Sequence, residues 1–259
     1  MKPRVLILHA NGTNRDLDAA AAVELAGGIA EIHPLNDLRS SRAGWEDFRM
    51  LVVPGGFTYA DALGAGKLMA IDLNAYFAEE LGQFIAAGKP VIGICNGFQT
   101  LVKAGVLPGL KESAALRATL TFNQEGHFEC RWVTLLPRSS QCIWTRGLQA
   151  SIECPVAHGE GNFFSPDPDA VERLASADQI ALVYAGSDGH PAGGAYPANP
   201  NGSIGDIAGI CNPAGNVLGL MPHPEDHIFV HQHPRWTRGE KSGLGLPLFE
   251  NGMHFAEGL

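Results

Sequence analysis

Short apolar runs alternate with helical stretches along the first hundred residues. Val5-Leu6-Ile7-Leu8 predicts a short buried strand, and the polar turn Asn11-Gly12-Thr13-Asn14 follows it. Asp16 to Ala26 is Ala-rich and predicts a helix closed by Gly27-Gly28. Glu31 to Leu35 predicts a second strand. Met50 to Val53 predicts a third, ending at Pro54-Gly55-Gly56. Lys67 to Ala87 predicts one long helix, with Phe77, Leu81, Phe84 and Ile85 on one face and Gly88 at its end. Val91 to Ile94 predicts a strand that turns directly into a helix running to about Ala104, with Gly105 at its end. Strands alternating with helices imply an α/β fold: a doubly wound, mostly parallel sheet with helices on both faces, as in flavodoxin-like proteins.

The second half is richer in strands. Arg117–Phe122, Phe128–Leu136, Ile152–Ala157, Ile180–Tyr184, Ile204–Cys211 and Val217–Met221 all have strand character. Asp167–Ala175 predicts a short helix with Pro168 in its first turn. The Gly-, Pro- and Asn-rich segment Ser187–Gly202 lies between strands, and the sequence contains no repeat and no linker. The reading is one domain over 1–259.

Composition narrows the classes of function. The 259 residues carry a net charge of −9, which argues against a nucleic-acid surface and leaves room for a basic partner. Five cysteines, at 95, 130, 142, 154 and 211, contain no C-x-x-C pair and suggest neither a disulfide framework nor a zinc ribbon. A reducing cytoplasm is the simplest compartment. The apolar run after the N-terminus is too short for a secretion signal, and no segment approaches the roughly 20 apolar residues that cross a bilayer. No membrane partner is expected.

The chemistry concentrates at Gly93-Ile94-Cys95-Asn96-Gly97-Phe98-Gln99. A thiol between a strand and a helix, with glycine two residues before and two after, has the pattern of a nucleophile elbow, whose tightness demands small flanking residues. The helix N-terminus behind it favours the thiolate. Acyl transfer also needs a base and a group to orient it. His223 and Glu225, in Met221-Pro222-His223-Pro224-Glu225, follow an apolar strand. In extended backbone, residues i and i+2 project to one side, so the carboxylate can fix the imidazole's tautomer. For the developing oxyanion, the chain offers the backbone N–H of Gly56, in Gly55-Gly56 at a strand end, and that of Asn96. Ligands of doubly wound sheets bind at the carboxyl ends of strands. Gly55-Gly56, Cys95 and the Asn11–Asn14 turn all fall there.

Other motifs are more open. Ala157-His158-Gly159-Glu160-Gly161 fits either a wall of the site or an ordinary turn. His223, His227, His231 and His233 are spaced like metal ligands over a short helix, but one member serves better as the base, and the expectation is no metal. Gly64-Ala65-Gly66-Lys67 lacks the first glycine and the hydroxyl residue of a phosphate loop, which excludes ATP binding there.

The elbow together with His223-Pro224-Glu225 resembles the class I, triad-type glutamine amidotransferases. Gly55-Gly56-Phe57-Thr58-Tyr59-Ala60-Asp61, Ala157–Gly161, Phe128–Val133 and the block from Asn199 to Glu225 are similar to one branch, the glutaminase subunits of phosphoribosylformylglycinamidine synthase. The resemblance spans residues 4–226. It implies the corresponding α/β fold and a glutaminase in which Cys95 forms a glutamyl thioester, His223 shuttles protons and Glu225 orients His223. It further implies that Gly56 and Asn96 hold the oxyanion, and that Gln99 helps bind glutamine, with Gly55, His158 and Glu160 placed in the same substrate site. The chain itself would need no cofactor. ATP and Mg would belong to a partner synthetase subunit that takes up the ammonia and aminates formylglycinamide ribonucleotide in purine synthesis. A small third subunit often completes such assemblies.

Four positions depart from the family pattern. Arg15 stands where a Cys is usual, Ala60 replaces a glycine, Gly64 replaces an Arg, and Asp226 replaces another Arg. The last two put partner contacts in question. The tail 228–259 is long and Gly/His-rich, and is expected to dock a partner. Three other readings compete: an amidotransferase subunit for a different acceptor, a cysteine hydrolase or stress protein of the same superfamily, and a scaffold with a vestigial site. The hydrolase reading does not account for the His-Pro-Glu segment at a distant strand end.

Overall fold

The chain's most continuous apolar runs occupy the middle of one nine-stranded sheet. In this computed structural model, which describes residues 2–40, 44–109 and 117–259, four strands lie parallel: β1 (Arg4–His9), β2 (Ile29–Pro34), β3 (Met50–Val53) and β4 (Val91–Ile94). Val5–Leu8, Met50–Val53 and Val91, Ile92 and Ile94 are fully buried. Strands covered on both faces have no solvent side, so their sequences run apolar instead of alternating. Seven more strands follow among the described residues: β5 (Thr119–Thr121), β6 (Glu129–Pro137), β7 (Ile152–His158), β8 (Asn162–Phe164), β9 (Ile180–Ala185), β10 (Ile207–Cys211) and β11 (Val217–Leu220), of which β5 and β8 form a separate two-stranded ribbon and the other five extend the large sheet. The sheet order is β2-β1-β3-β4-β11-β10-β9-β6-β7. β11 is parallel to β4, and the pairs from β11 to β7 are antiparallel, so only β10 and β6 run against the other seven. β7 alternates buried and half-buried positions, as a strand at the sheet's edge does.

Among the described residues, seven α-helices clothe the sheet: α1 (Asp16–Leu25), α2 (Leu35–Ser40), α3 (Lys67–Tyr76), α4 (Ala78–Ala86), α5 (Asn96–Lys103), α6 (Ala170–Ser176) and α7 (Leu246–Glu257). α1 and α7 pack together over one face; α3 and α5 pack together over the other. The expected α/β architecture is therefore present, with strand ends mostly within two residues of the sequence reading.

Several elements differ from that reading. The long helix expected over 67–87 is two helices. Phe77 leaves helical geometry (φ −137°, ψ 17°), and its buried ring lies 5.7 Å from that of Trp45, so tertiary packing overrides the continuous helical pattern. Leu81, Phe84 and Ile85 still reach the core from α4. Ile204–Asp206 is a 3-10 turn and not strand, because Gly205 and Asp206 take left-handed backbone (φ 59° and 57°). Pro168 lies outside α6, which begins at Ala170.

α2, α7 and β8 have no counterpart in the sequence reading. α7 begins with Leu246-Pro247 and buries Leu248, Phe249, Met253 and Ala256. Gly252 lies flat on the Trp144 indole: a Cβ there would sit 2.3 Å from Cζ3. Trp144 is itself fixed by its Nε1–H donating to Asn216 O at 3.1 Å. Among the described residues, no helix is long and apolar enough to cross a membrane.

Because the indole cannot retreat without breaking that bond, Gly252→Ala is expected to lower stability by about 1–3 kcal/mol through overpacking. A urea midpoint equal to that of the unaltered chain would show that α7 is not seated on Trp144.

Candidate active site

The carboxyl ends of β1, β3, β4, β7 and β11 gather at one rim. The turn after β1 meets the turn after β3: Thr13 and Gly56 form an isolated bridge, and Phe57 N–H donates to Gly12 O at 2.9 Å. At Gly56 (φ 137°) a Cβ would lie 2.7 Å from Asn14 N, so only glycine allows the two loops to approach this closely.

Cys95 stands at the centre. Its backbone is left-handed (φ 51°, ψ −106°), a conformation that costs energy for any residue with a side chain. Three contacts hold it there. Cys95 N–H donates to Leu220 O in β11 at 2.8 Å, and Cys95 O accepts from Gln99 N–H at 3.0 Å as α5 begins. Gly97 presses on β3, where a Cβ would come within 1.8 Å of Val53 O. A Cβ on Gly93 would lie 2.8 Å from Gly97 O, so both flanking glycines are sterically required. The Sγ lies 3.8 Å from Ala157 O in β7.

His223 and Glu225 meet as expected, with His223 Nδ1 2.7 Å from Glu225 Oε1 and both side chains buried. The geometric reason differs from the one the sequence suggested. The backbone is not extended there: Pro224–His227 is a 3-10 turn that folds the carboxylate back under the ring. His223 N–H donates to Pro155 O at 2.8 Å, which ties this turn to β7. The carboxylate identifies Nδ1 as the protonated nitrogen and leaves Nε2 for other chemistry. Burial pushes the imidazole's pKa down, but the Glu225 carboxylate and the charge and hydrogen bond of Cys95 outweigh it and hold it well above the ordinary histidine value.

A cavity of about 170 Å³ opens beside the thiol. Of the residues singled out in the sequence, Gly56, Cys95, Gln99, His158 and Glu160 border it. Gly55 does not. It lies under the imidazole, where a Cβ would be 2.7 Å from His223 Cε1, so its smallness makes room for the base. The Gln99 amide is engaged within the wall: Nε2 donates to Glu160 O at 2.7 Å, and Oε1 accepts from Asn96 Nδ2 at 3.1 Å. The Glu160 carboxylate accepts from Ala65 N–H, 3.3 Å from each oxygen, and lies 3.7 Å from Lys103 Nζ. The glycine-rich run 64–66 thus faces a carboxylate.

His158 is wholly buried, and its environment is assembled from distant segments. Asn123 Nδ2 donates to His158 O and His127 O, so Asn123 Oδ1 is the acceptor for Gly161 N–H (2.9 Å) and for His158 Nδ1–H (3.1 Å). Burial, then the neighbouring charge of His223, drives the His158 imidazole down to about 3. It is a neutral ring beside a charged one. Asn201 Nδ2 donates to Gly161 O at 2.8 Å, so the Asn199–Ser203 block braces this loop. Asn123, Asn201, Asp61 and the rim aromatics Phe57, Phe122 and Phe128 were given no role from sequence. Phe57, Asp61, Phe128 and Asn201 stand inside motifs that carry the family resemblance, yet the part each plays shows only through its tertiary neighbours.

The four histidines do not form one cluster. His223 belongs to the rim. His227 and His233 sit edge-on to the Trp132 ring, at 5.0 and 4.7 Å, and His231 stacks on Phe229. Among the described residues no three His, Cys, Asp or Glu side chains are grouped to hold a metal ion. Two of the departures from the family pattern meet: Arg15 Nη1 is 3.5 Å from Asp226 Oδ1. Burial and the Glu225 charge push Asp226 up to about 6. Ala60 has φ 54°, which accounts for a glycine preference at that position.

Comparison with known proteins agrees with this geometry. The family model of the CobB/CobQ-like glutamine amidotransferase domain matches residues 2–256. The phosphoribosylformylglycinamidine synthase subunit PurQ of Treponema denticola is 52% identical over 98% of this chain and 99% of its own length. The same subunit of Dehalococcoides mccartyi is 40% identical over 98% of each chain. The structure of PurLQS from Thermotoga maritima contains a chain that superposes with a TM-score of 0.74 at 28% identity, covering 98% of this chain and 99% of that one. With a strand-end thiol, a buried His–Glu pair and near-complete alignment in hand, the chain belongs to the glutamine amidotransferases, in the PurQ family of phosphoribosylformylglycinamidine synthase subunits.

Proposed function

We propose that this chain hydrolyses the side-chain amide of glutamine on Cys95 and passes the ammonia to a synthetase subunit, which aminates formylglycinamide ribonucleotide in purine synthesis. The observation that carries the reading is the buried Cys95–His223–Glu225 arrangement at the ends of β4 and β11.

The chemistry follows from the positions of the groups. The Cys95 sulfur, its proton held on His223, attacks the amide carbon. The carbonyl oxygen takes up negative charge and is met by the N–H groups of Gly56 and Asn96. Such donors, fixed before the reaction, stabilise the developing charge strongly in a water-poor cavity. His223 donates its proton to the amide nitrogen, the C–N bond breaks, and ammonia leaves a glutamyl thioester. His223 then takes a proton from water, which attacks the thioester. Glutamate departs and the thiol is restored. Glu225 keeps the imidazole in one tautomer through both halves. Gln99, His158 and Glu160 shape the wall that holds glutamine, and Gly55 keeps space for the imidazole.

No step in this chain calls for a cofactor, and ATP and Mg belong to the synthetase's part of the reaction. A small third subunit fits the same assembly, and a cytoplasmic location fits a purine precursor as acceptor. We assign the whole chain to one domain. Within 228–259, the helix α7 is spent on the core, which leaves the exposed stretch around Phe229, Trp236 and Arg238 for partner docking.

Cys95→Ala is expected to abolish glutamine hydrolysis by the assembled enzyme while leaving amination from free ammonia intact. A glutamine-mimicking electrophile should label Cys95 in the unaltered chain. Retained glutaminase activity in the variant would refute the assignment.

The two histidines make opposite contributions to stability. His223, raised in the folded state, adds stability that is complete below pH 6.5 and lost as pH rises through its folded pKa. His158, lowered to about 3, adds stability that is complete above pH 6.5 and lost as pH falls. Relative to His158→Gln, the unaltered chain is expected to lose about 2 kcal/mol more between pH 7.5 and pH 5. Urea titrations of both proteins at the two pH values check this, and parallel losses would mean that His158 titrates normally.

A further inference from the structure

Glutamine arrives with an α-ammonium as well as an amide, and the cavity beside Cys95 has two carboxylates on its border, Asp61 and Glu160. Their situations differ. Glu160 is already matched, by Ala65 N–H and by Lys103 Nζ. Asp61 accepts from two neutral donors, Asn96 Nδ2 at 2.9 Å and the Gly66 backbone N–H; the Lys103 charge acts on it from a distance, but among the described residues no cation lies within 4 Å of it. Burial and the Glu160 charge push its carboxyl upward, so an arriving cation relieves a real cost.

The backbone that carries Asp61 is unusual. Tyr59, Ala60, Asp61 and Leu63 have φ of 55°, 54°, 52° and 65°, left-handed geometry at four non-glycine residues within five positions. Strain of this kind persists only where surrounding contacts enforce it, and it gathers at functional sites. The contacts here are specific. Tyr59 N–H donates to Asn11 O at 2.6 Å, the Tyr59 hydroxyl donates to Asp72 Oδ2 at 2.5 Å, and the Thr58 hydroxyl donates to Asn96 Oδ1. Their joint effect is to turn one carboxylate into the cavity. The half-exposed rings of Phe57 and Phe128, 6.3 Å apart, stand on the same border.

We propose that Asp61 receives the α-ammonium of glutamine, and so is the residue by which this cavity selects an α-amino acid amide over a simple amide. This rests on the glutamine reading given above. Because Asn96 Nδ2 holds Asp61 while the Asn96 N–H faces the oxyanion, substrate seated on Asp61 is registered against the elbow.

The test is Asp61→Asn, which keeps the shape and an oxygen for Asn96 but removes the charge, in the chain assembled with its synthetase partner. Glutamine is compared with glutaramate, which is glutamine without its α-amino group. The expected result is a fall of about 30-fold in kcat/KM for glutamine, mostly through KM, as for loss of one charge-assisted contact, with glutaramate hydrolysis unchanged. Equal losses on both substrates would mark Asp61 as a structural residue and overturn the proposal, as would no loss on either. Selective loss in Glu160→Gln in its place would transfer the role to Glu160 and also overturn it. Failure of the glutamine reading is distinguishable: the unaltered complex would then hydrolyse neither compound and a glutamine-mimicking electrophile would leave Cys95 unlabelled.

Discussion

The seating of Gly97 on the backbone of Val53 is the contact on which the site depends. It forces α5 against the end of β3 at backbone distance and so forces the chain at Cys95 into a turn that an ordinary residue avoids. The hydrogen bond from Cys95 N–H to Leu220 O then fixes β11 beside β4 at the same level. Three strand ends are thereby locked in register before any side-chain chemistry is considered. His223 follows from β11, and the backbone N–H groups of Gly56 and Asn96 come from the turn after β3 and from the elbow itself. A tight steric contact is well suited to this, since close-packed backbone does not deform continuously.

The second constraint is electrostatic. A charged imidazole inside protein is costly, and the Glu225 carboxylate and Cys95 sulfur are both needed to hold it. His158 lies close enough for its charge to compete. The protein resolves this by burying His158 completely and giving its Nδ1–H to Asn123, so that it stays neutral. One histidine is held charged while its neighbour is held neutral. The Arg15–Asp226 pair adds a further charge pair outside the triad, built from two residues that each depart from the family pattern.

How much of this was legible in the sequence depends on the range of the interaction. The elbow was legible because its requirement is local: two small residues at fixed offsets from a thiol. The parallel core was legible because doubly covered strands read as unbroken apolar runs. The His223–Glu225 contact was legible as a pair, yet its cause, a 3-10 turn, was not, since two prolines suggest extended chain and turn alike. Asn123 was not singled out, and Asn201 stood in a quoted motif without a role, because what they do is decided by segments roughly 35–40 residues away, at His158 and Gly161. The break at Phe77 and the histidines around Trp132 fall in the same class: local patterns offered a long helix and a cluster with metal-ligand spacing, and long-range aromatic packing decided otherwise.

Asn96 shows why the site needs a particular residue directly after the nucleophile. A small apolar residue would preserve the elbow, whose demands fall on positions 93 and 97. The asparagine side chain does something the elbow does not require. Its Oδ1 accepts from the Thr58 hydroxyl, and its Nδ2 donates to Asp61 and Gln99. It spans two backbone segments, the elbow and the 59–63 loop, each left-handed at non-glycine residues. Each strained segment thus gains a contact from the other, beyond the bonds it makes locally. A single amide side chain, with two acceptor positions and two donor hydrogens, is the smallest group that can serve both. The same residue's backbone N–H lies at the nucleophile. The 59–63 loop and the turn at Cys95 are therefore mechanically joined through one residue.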